Sequence, residues 1–237
     1  MMNVRRASER GHFKNDWLNS RHTFSFGEYY DPAHMGVSLL RVINDDQVAP
    51  GAGFATHPHR NMEIVSYVLS GALEHRDSMG NGSVIRPGDV QRMSAGSGVT
   101  HSEFNPSKDE PTHFLQIWLL PEKLNIEPGY EQKHFAPESR RDTLKLLVSP
   151  DGRNGSISAN TDVLAYGSVL QDGDRVAYSA TEGRMVYLHV ASGSVEVNGK
   201  ALNACDGASL PGETPMEIRS ADMGEVLLFD LPAEEEA

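Results

Sequence analysis

The sequence predicts an all-β protein of two antiparallel β-barrel units packed together, with few and short helices. Three observations lead there. Twenty-two glycines and thirteen prolines interrupt the 237 residues at short intervals. Between them lie short runs rich in Val, Ile, Leu and Tyr, the pattern of sandwiches and barrels. One pattern also occurs twice. Val65–His75 and Val186–Val197 each read as a strand, a Ser-Gly turn and a second strand. A Gly-Asp or Asp-Gly turn follows each, at Gly88-Asp89 and Asp206-Gly207. The first unit is taken as residues 1–130 and the second as 131–237.

In chain order, Phe24, Phe26, Tyr29 and Tyr30 read as an aromatic cluster capping a barrel, as core rather than ligand pocket. Strands are predicted over Val37–Ile43, Glu63–Leu69, Phe114–Leu120, Met185–Val190, Ser194–Val197 and Glu225–Phe229. Asp45-Asp46 reads as a turn between strands. Pro121–Asn125 and Pro137–Arg141 are candidates for a turn of helix. No stretch approaches the roughly 20 apolar residues of a membrane span. No apolar run follows Met1–Arg6, so no export signal is read.

The formal charge of -12 disfavours direct nucleic-acid binding, which rests on Lys and Arg neutralising phosphates. The basic residues are scattered, with Arg5-Arg6 and Arg140-Arg141 as the adjacent pairs. No Lys/Arg-rich run suggests nuclear import. The Glu234–Glu236 tail reads as a solvated end. Cys205 is the single cysteine, so no internal disulfide forms. That suits a reducing compartment, and a cytoplasmic location is expected. Cys205 itself reads as a passive thiol.

Two short segments carry the chemistry, Thr56–Glu63 with His57-Pro58-His59, and Gly98–Asn105 with His101-Ser102-Glu103. Residues i and i+2 of a strand share a face, so each pair points one way. On neighbouring strands the pairs would converge three imidazoles and a carboxylate on one volume. That donor set suits Fe, Zn, Mn, Ni or Cu rather than Mg or Ca. Glu103 shares a face with His101, which favours it over Glu63 as the carboxylate. Glu63 remains a candidate for orienting an imidazole. His12, His22, His34, His75, His113, His134 and His189 read as hydrogen-bonded or surface histidines, with His75 and His113 the ones to check. In the second unit, counting from the Ser-Gly turn, Ser179 and Thr181 stand where His57 and His59 stand in the first. The second unit is therefore expected to lack metal ligands.

Gly51-x5-His57-x-His59-x3-Glu63-x7-Gly71 resembles the first cupin motif, and Gly88-x12-His101-x3-Asn105 a variant of the second. The chain further resembles the pirin family of bicupins, above all its shorter bacterial members described as quercetin 2,3-dioxygenases. The matching stretches include His22–Phe26, Tyr29–Pro32, Leu40–Asp46, His57-Pro58-His59-x-x-Met62-Glu63, Met93-Ser94-Ala95-Gly96 and His101-Ser102-Glu103-x-Asn105. The match is dense from about Arg10 to Tyr130 and thin beyond Glu131. The resemblance implies two jelly-roll barrels. It implies His57, His59, His101 and Glu103 as ligands of one divalent transition metal, Fe(II) first, with Zn, Mn, Ni, Co and Cu as alternatives. It implies a flavonol-like substrate and dioxygen, ring opening with release of carbon monoxide, and Glu103 as a catalytic proton acceptor. The alternative it implies is a metal- or redox-sensing regulator that meets a protein partner. A monomer is expected.

Overall fold

The computed structural model describes residues 2–220 and 222–233. The Glu234–Glu236 tail lies outside them. Three sheets account for the architecture. A seven-stranded sheet runs in the order Gly129–His134, Asp89–Ser94, Glu63–Ser70, Thr112–Leu119, Leu40–Val48, Leu18–His22, Gly11–Lys14. A four-stranded sheet runs Gly53–His59, Val99–Phe104, Leu73–Asp77, Gly82–Ile85 and closes the first barrel. The third sheet has ten strands and forms the second barrel. Its strand Arg184–Val197 pairs with Gly224–Pro232 along one stretch and with Lys200–Asn203 and Met216–Arg219 at its far end. The strand pairs are antiparallel apart from Lys145–Ser149 with Ile157–Ser158. The described helices are single 3-10 turns. Among the described residues no helix is long and apolar enough to cross a membrane.

Burial explains the local sequence. A strand covered on both faces reads as a continuous apolar run, and Glu63–Ser70 and Thr112–Leu119 are buried nearly throughout. Their outward face, with Val65, Tyr67, Leu115 and Ile117, packs on Leu147, Ala165, Leu227 and Phe229 of the second barrel. Their inward face is divided. Val68 and Phe114 join one small apolar cluster, Ile64 joins another, and the polar Ser66 and Gln116 fall between. The second barrel has one continuous apolar cluster instead.

The expected division at 130/131 falls within Gly129–His134, which pairs along its length with Asp89–Ser94. Asn3–Arg5 pairs with Gly207–Pro211, in the second barrel's sheet. We propose two units that divide between His134 and Lys145, with Asn3–Arg5 counted in the second.

Several local expectations are corrected. Asp45 and Asp46 do not turn the chain: both are buried within Leu40–Val48. Asp45 accepts from His113 Nε2 (2.9 Å) and Cys205 Sγ (3.0 Å), so a tertiary contact keeps an acidic pair inside a strand. Pro121–Asn125 forms bends, because Asn125 takes a φ of +57° and Glu122 and Lys123 bond to Asn160. Pro137–Arg140 is a 3-10 turn, as expected. Met185–Val190 and Ser194–Val197 are parts of one strand. At Gly193 (φ +70°) a Cβ would stand 1.9 Å from the Met223 carbonyl oxygen, so the irregularity there admits glycine alone. The aromatic four do not form one cap. Phe24 packs on Tyr187 in the interface, Phe26 and Tyr29 line a cavity, and Tyr30 is exposed.

Candidate metal centre

Val99–Phe104 is the strand on which the site is built. Its burial alternates, with Val99, His101 and Glu103 facing inward. On one side it pairs with Gly53–His59, setting His101 directly opposite His57 and Val99 opposite His59. The register then slips. Glu103 pairs with Phe54, so Ala55 and Thr56 together face Ser102. Such a bulge re-aims the side chains beside it. The three imidazoles meet, with ring centroids 4.5 Å (His57–His101), 4.8 Å (His57–His59) and 4.9 Å (His59–His101) apart. Each offers a nitrogen within 4.8 Å of the others.

Their hydrogen bonds prepare them as ligands. His57 Nδ1 lies 2.7 Å from the Ala55 carbonyl oxygen, to which only an N–H can donate. Its Nε2 therefore keeps a free lone pair. His101 Nε2 is buried with no partner. On its far side, His101 Nδ1 lies 3.5 Å from His75 Nδ1, and His75 Nε2 lies 3.1 Å from Asp77 Oδ2. Asp77 is acceptor-only when ionised, so the chain runs one way: His101 donates to His75, and His75 donates to Asp77. Burial opposes the Asp77 charge, but bonds from Asn81 and His75 hold its carboxyl below the usual range. Burial drives His101 down to about 2, helped by the neighbouring charges of His57, His59 and His75. Burial and His57 take His59 to about 4. Neutral imidazoles are the ligand form.

Glu103 lies on the same strand face and is almost wholly buried. Ser66 Oγ donates to one oxygen (3.0 Å) and Gln116 Nε2 to the other (2.9 Å). Trp118 Nε1 donates to Gln116 Oε1 (3.2 Å), which fixes the amide's orientation. Burial raises the Glu103 carboxyl to about 7 despite both bonds. Its ligand atoms group with His75 and His101 rather than with His57 and His59, so His101 is shared between two clusters. An unpartnered buried imidazole nitrogen, a tautomer fixed at His57 and a carboxylate alongside fit a divalent transition metal by donor chemistry.

The cavity above the cluster measures about 890 Å³. His57 and His59 reach it, and Trp17, Phe26, Phe54 and Trp118 wall it. Trp118 stands edge-on to His59 at 5.0 Å.

Sequence reasoning missed Ser66 and Gln116. Each is one polar residue within an apolar run, and its face becomes visible only once cross-strand register is known. The expectation for Glu63 is corrected. Its carboxylate accepts from Ser94 Oγ (2.7 Å) and the Asn160 N–H (3.3 Å), so it serves contact between the barrels rather than an imidazole. His12, His34, His113 and His134 bond to Asn19, Asp31, Asp45 and Asp89, as expected of ordinary histidines. His75 departs from that group by touching His101. His22 and His189 are buried and have unpartnered ring nitrogens. Burial pushes the Cys205 thiol up to about 12, a passive state.

Known proteins resemble the chain throughout. The family model described as Pirin matches residues 3–119, and that described as the quercetinase C-terminal cupin domain matches 146–231. A quercetin 2,3-dioxygenase of Escherichia coli is 45% identical over 98% of this chain and 99% of its own. A pirin-like protein of Caulobacter vibrioides is 40% identical over 90% of this chain and 92% of its own. The crystal structure of the bacterial pirin YhhW from Escherichia coli, in complex with nickel(II), superposes with a TM-score of 0.93 at 45% identity, covering 99% of this chain and 100% of that one. With two barrels, the histidine cluster and these full-length matches together, the chain belongs to the pirin family of bicupins.

Proposed function

We propose that the protein is a metal-dependent quercetin 2,3-dioxygenase. One flavonol and one dioxygen give one depside and one carbon monoxide. The observation that carries this reading is the three-histidine cluster with a carboxylate beside it, opening into an aromatic-walled cavity sized for a planar polyphenol. His57, His59, His101 and Glu103 are the residues that would hold the metal. When bound it supplies Lewis acidity, which lowers the pKa of a coordinated hydroxyl. Iron(II) is the first ion to test, and nickel(II), the ion in the Escherichia coli relative's crystal, is its rival.

The remaining work falls to the chain. Trp17, Phe26, Phe54 and Trp118 sandwich the flavonol and exclude bulk water. Ser66 and Gln116 hold both oxygens of Glu103 in place. Glu103 takes the proton from the flavonol hydroxyl, because among the described residues it is the carboxylate that groups with His101, the histidine shared with the cluster. The lone, passive Cys205 supports a reducing, cytoplasmic setting.

The test is anaerobic loading with iron(II) or nickel(II), then quercetin, then air. Loss of the flavonol absorption beyond one equivalent, with matching carbon monoxide, is expected. Absence of both with either metal overturns the reading and leaves a regulator that binds without turnover.

A further inference from the structure

The cavity wall away from the histidine cluster carries a polar patch that the reaction above does not use. Leu18–His22 and Leu40–Val48 are neighbours, with Ser20 opposite Asp46 and His22 opposite Asn44. These four residues form a two-by-two block on one face, and all four line the cavity. None is more than 7% exposed. His22 Nδ1, Asn44 Oδ1 and Asp46 Oδ1 are buried with no partner, and the Ser20 hydroxyl sits against the Asp46 carboxyl. Native interiors rarely leave polar atoms unpaired, and three within one block of a cavity wall need an explanation.

Position supplies it. Asn44 lies directly across from Gln116, which bonds to Glu103, and His22 is the next residue along the same row. The block therefore begins about 5 Å and extends to about 10 Å along the sheet from Gln116, at one and two strand spacings. A planar aromatic molecule held at the histidines would reach it with its far ring. Carbonyl and carboxylate oxygens accept hydrogen bonds, so the matching ligand atoms are donors.

We propose that Ser20, His22, Asn44 and Asp46 form the subsite that recognises the hydroxyl groups on the substrate's outer ring, and so select polyhydroxylated aromatics over bare ones. Asn44 and Asp46 accept from phenolic O–H groups, and the Ser20 hydroxyl can return a donor. This rests on the cavity taking an aromatic substrate.

The test is anaerobic titration calorimetry on metal-loaded protein with quercetin and with 3-hydroxyflavone. The two share the 3-hydroxyl and 4-ketone, but 3-hydroxyflavone lacks quercetin's other four hydroxyls, so the Ser20 and Asn44 variants assign the difference to this block. Quercetin is expected to bind at least about tenfold tighter, because a site built for hydroxyls penalises the analogue lacking them. Ser20→Ala and Asn44→Leu are each expected to lower that ratio. A ratio near one in the unmodified protein, or a ratio unmoved in both variants, would overturn the proposal and leave the block holding structural water. Carbon monoxide release from 3-hydroxyflavone on admitting air reads ring opening separately. Selective binding without it would sink the enzyme and keep the subsite, and unselective binding with it would do the reverse.

Discussion

The two barrels share a strand arrangement and differ in what fills it. In the first, Gly53–His59, Val99–Phe104, Leu73–Asp77 and Gly82–Ile85 lie side by side. In the second, Arg175–Tyr178, Met216–Arg219, the end of Arg184–Val197 and Lys200–Asn203 repeat that order. Register makes the comparison residue by residue. His75 pairs with Glu103, and Val197 pairs with Ile218. Ser66 pairs with Gln116, and Leu188 pairs with Leu228. Two residues before Ile218, Met216 stands where His101 stands. All five replacements are buried in the second barrel's one apolar cluster. The scaffold therefore stands with apolar residues at these five positions, and the first barrel's buried imidazoles and carboxylate are a cost its fold does not require. What they gain is a ligand.

The comparison can be broken most forcefully in the second barrel. Ile218→Glu puts at that site the residue type the first barrel tolerates, but without Ser66 and Gln116 to meet it. It should destabilise by roughly 3–5 kcal/mol, the cost of an uncompensated buried charge, read from the denaturant midpoint. If Ile218→Glu is silent, the second interior is more adaptable than its packing indicates. Next in size, His101→Ala should weaken metal binding by about a hundredfold or more and abolish turnover, since even outer-shell changes cost up to that much. Metal content of the purified variant checks it.

A third effect appears in metal-free protein. Burial holds the Glu103 carboxyl at about 7, against 4.5 ordinarily. The folded chain thus keeps a proton that the unfolded chain surrenders as pH rises above 4.5. Glu103's contribution is full below pH 4.5 and is lost as pH climbs through 7. Glu103→Gln should remove that decline, changing relative stability across pH 4.5–7 by on the order of 1–3 kcal/mol. Parallel pH profiles of denaturation measure it. Smallest, Asp77→Asn unsettles the His75 tautomer that orients His101 and should lower metal affinity by about tenfold. A calorimetric titration with nickel(II) reads it.

Much of this was legible beforehand. His57-x-His59 and His101-x-Glu103 announce a shared face through strand periodicity alone, and the doubled Ser-Gly pattern exposes the repeat. What stayed hidden depends on partners distant in sequence. Asp45-Asp46 resembles a turn until Cys205 and His113 are seen to hold Asp45. Ser66 and Gln116 look like solvent-facing interruptions until a second sheet covers them. His75 could be marked for checking by its strand, but its role comes from one contact, with His101. The Arg184–Val197 strand looked like a hairpin because Gly193 is there for closeness to Met223, not for reversal.

Asn3–Arg5, paired with Gly207–Pro211, has a consequence for synthesis. The ribosome makes this strand about two hundred residues before its partner. The first barrel has all its own strands well before then and can assemble while translation continues. Asn3–Arg5 must wait, unpaired, until Gly207–Pro211 emerges. Closing that contact fastens Asn3–Arg5 onto the later-made barrel, so a nascent chain stopped short of Gly207 would trail an open β-edge.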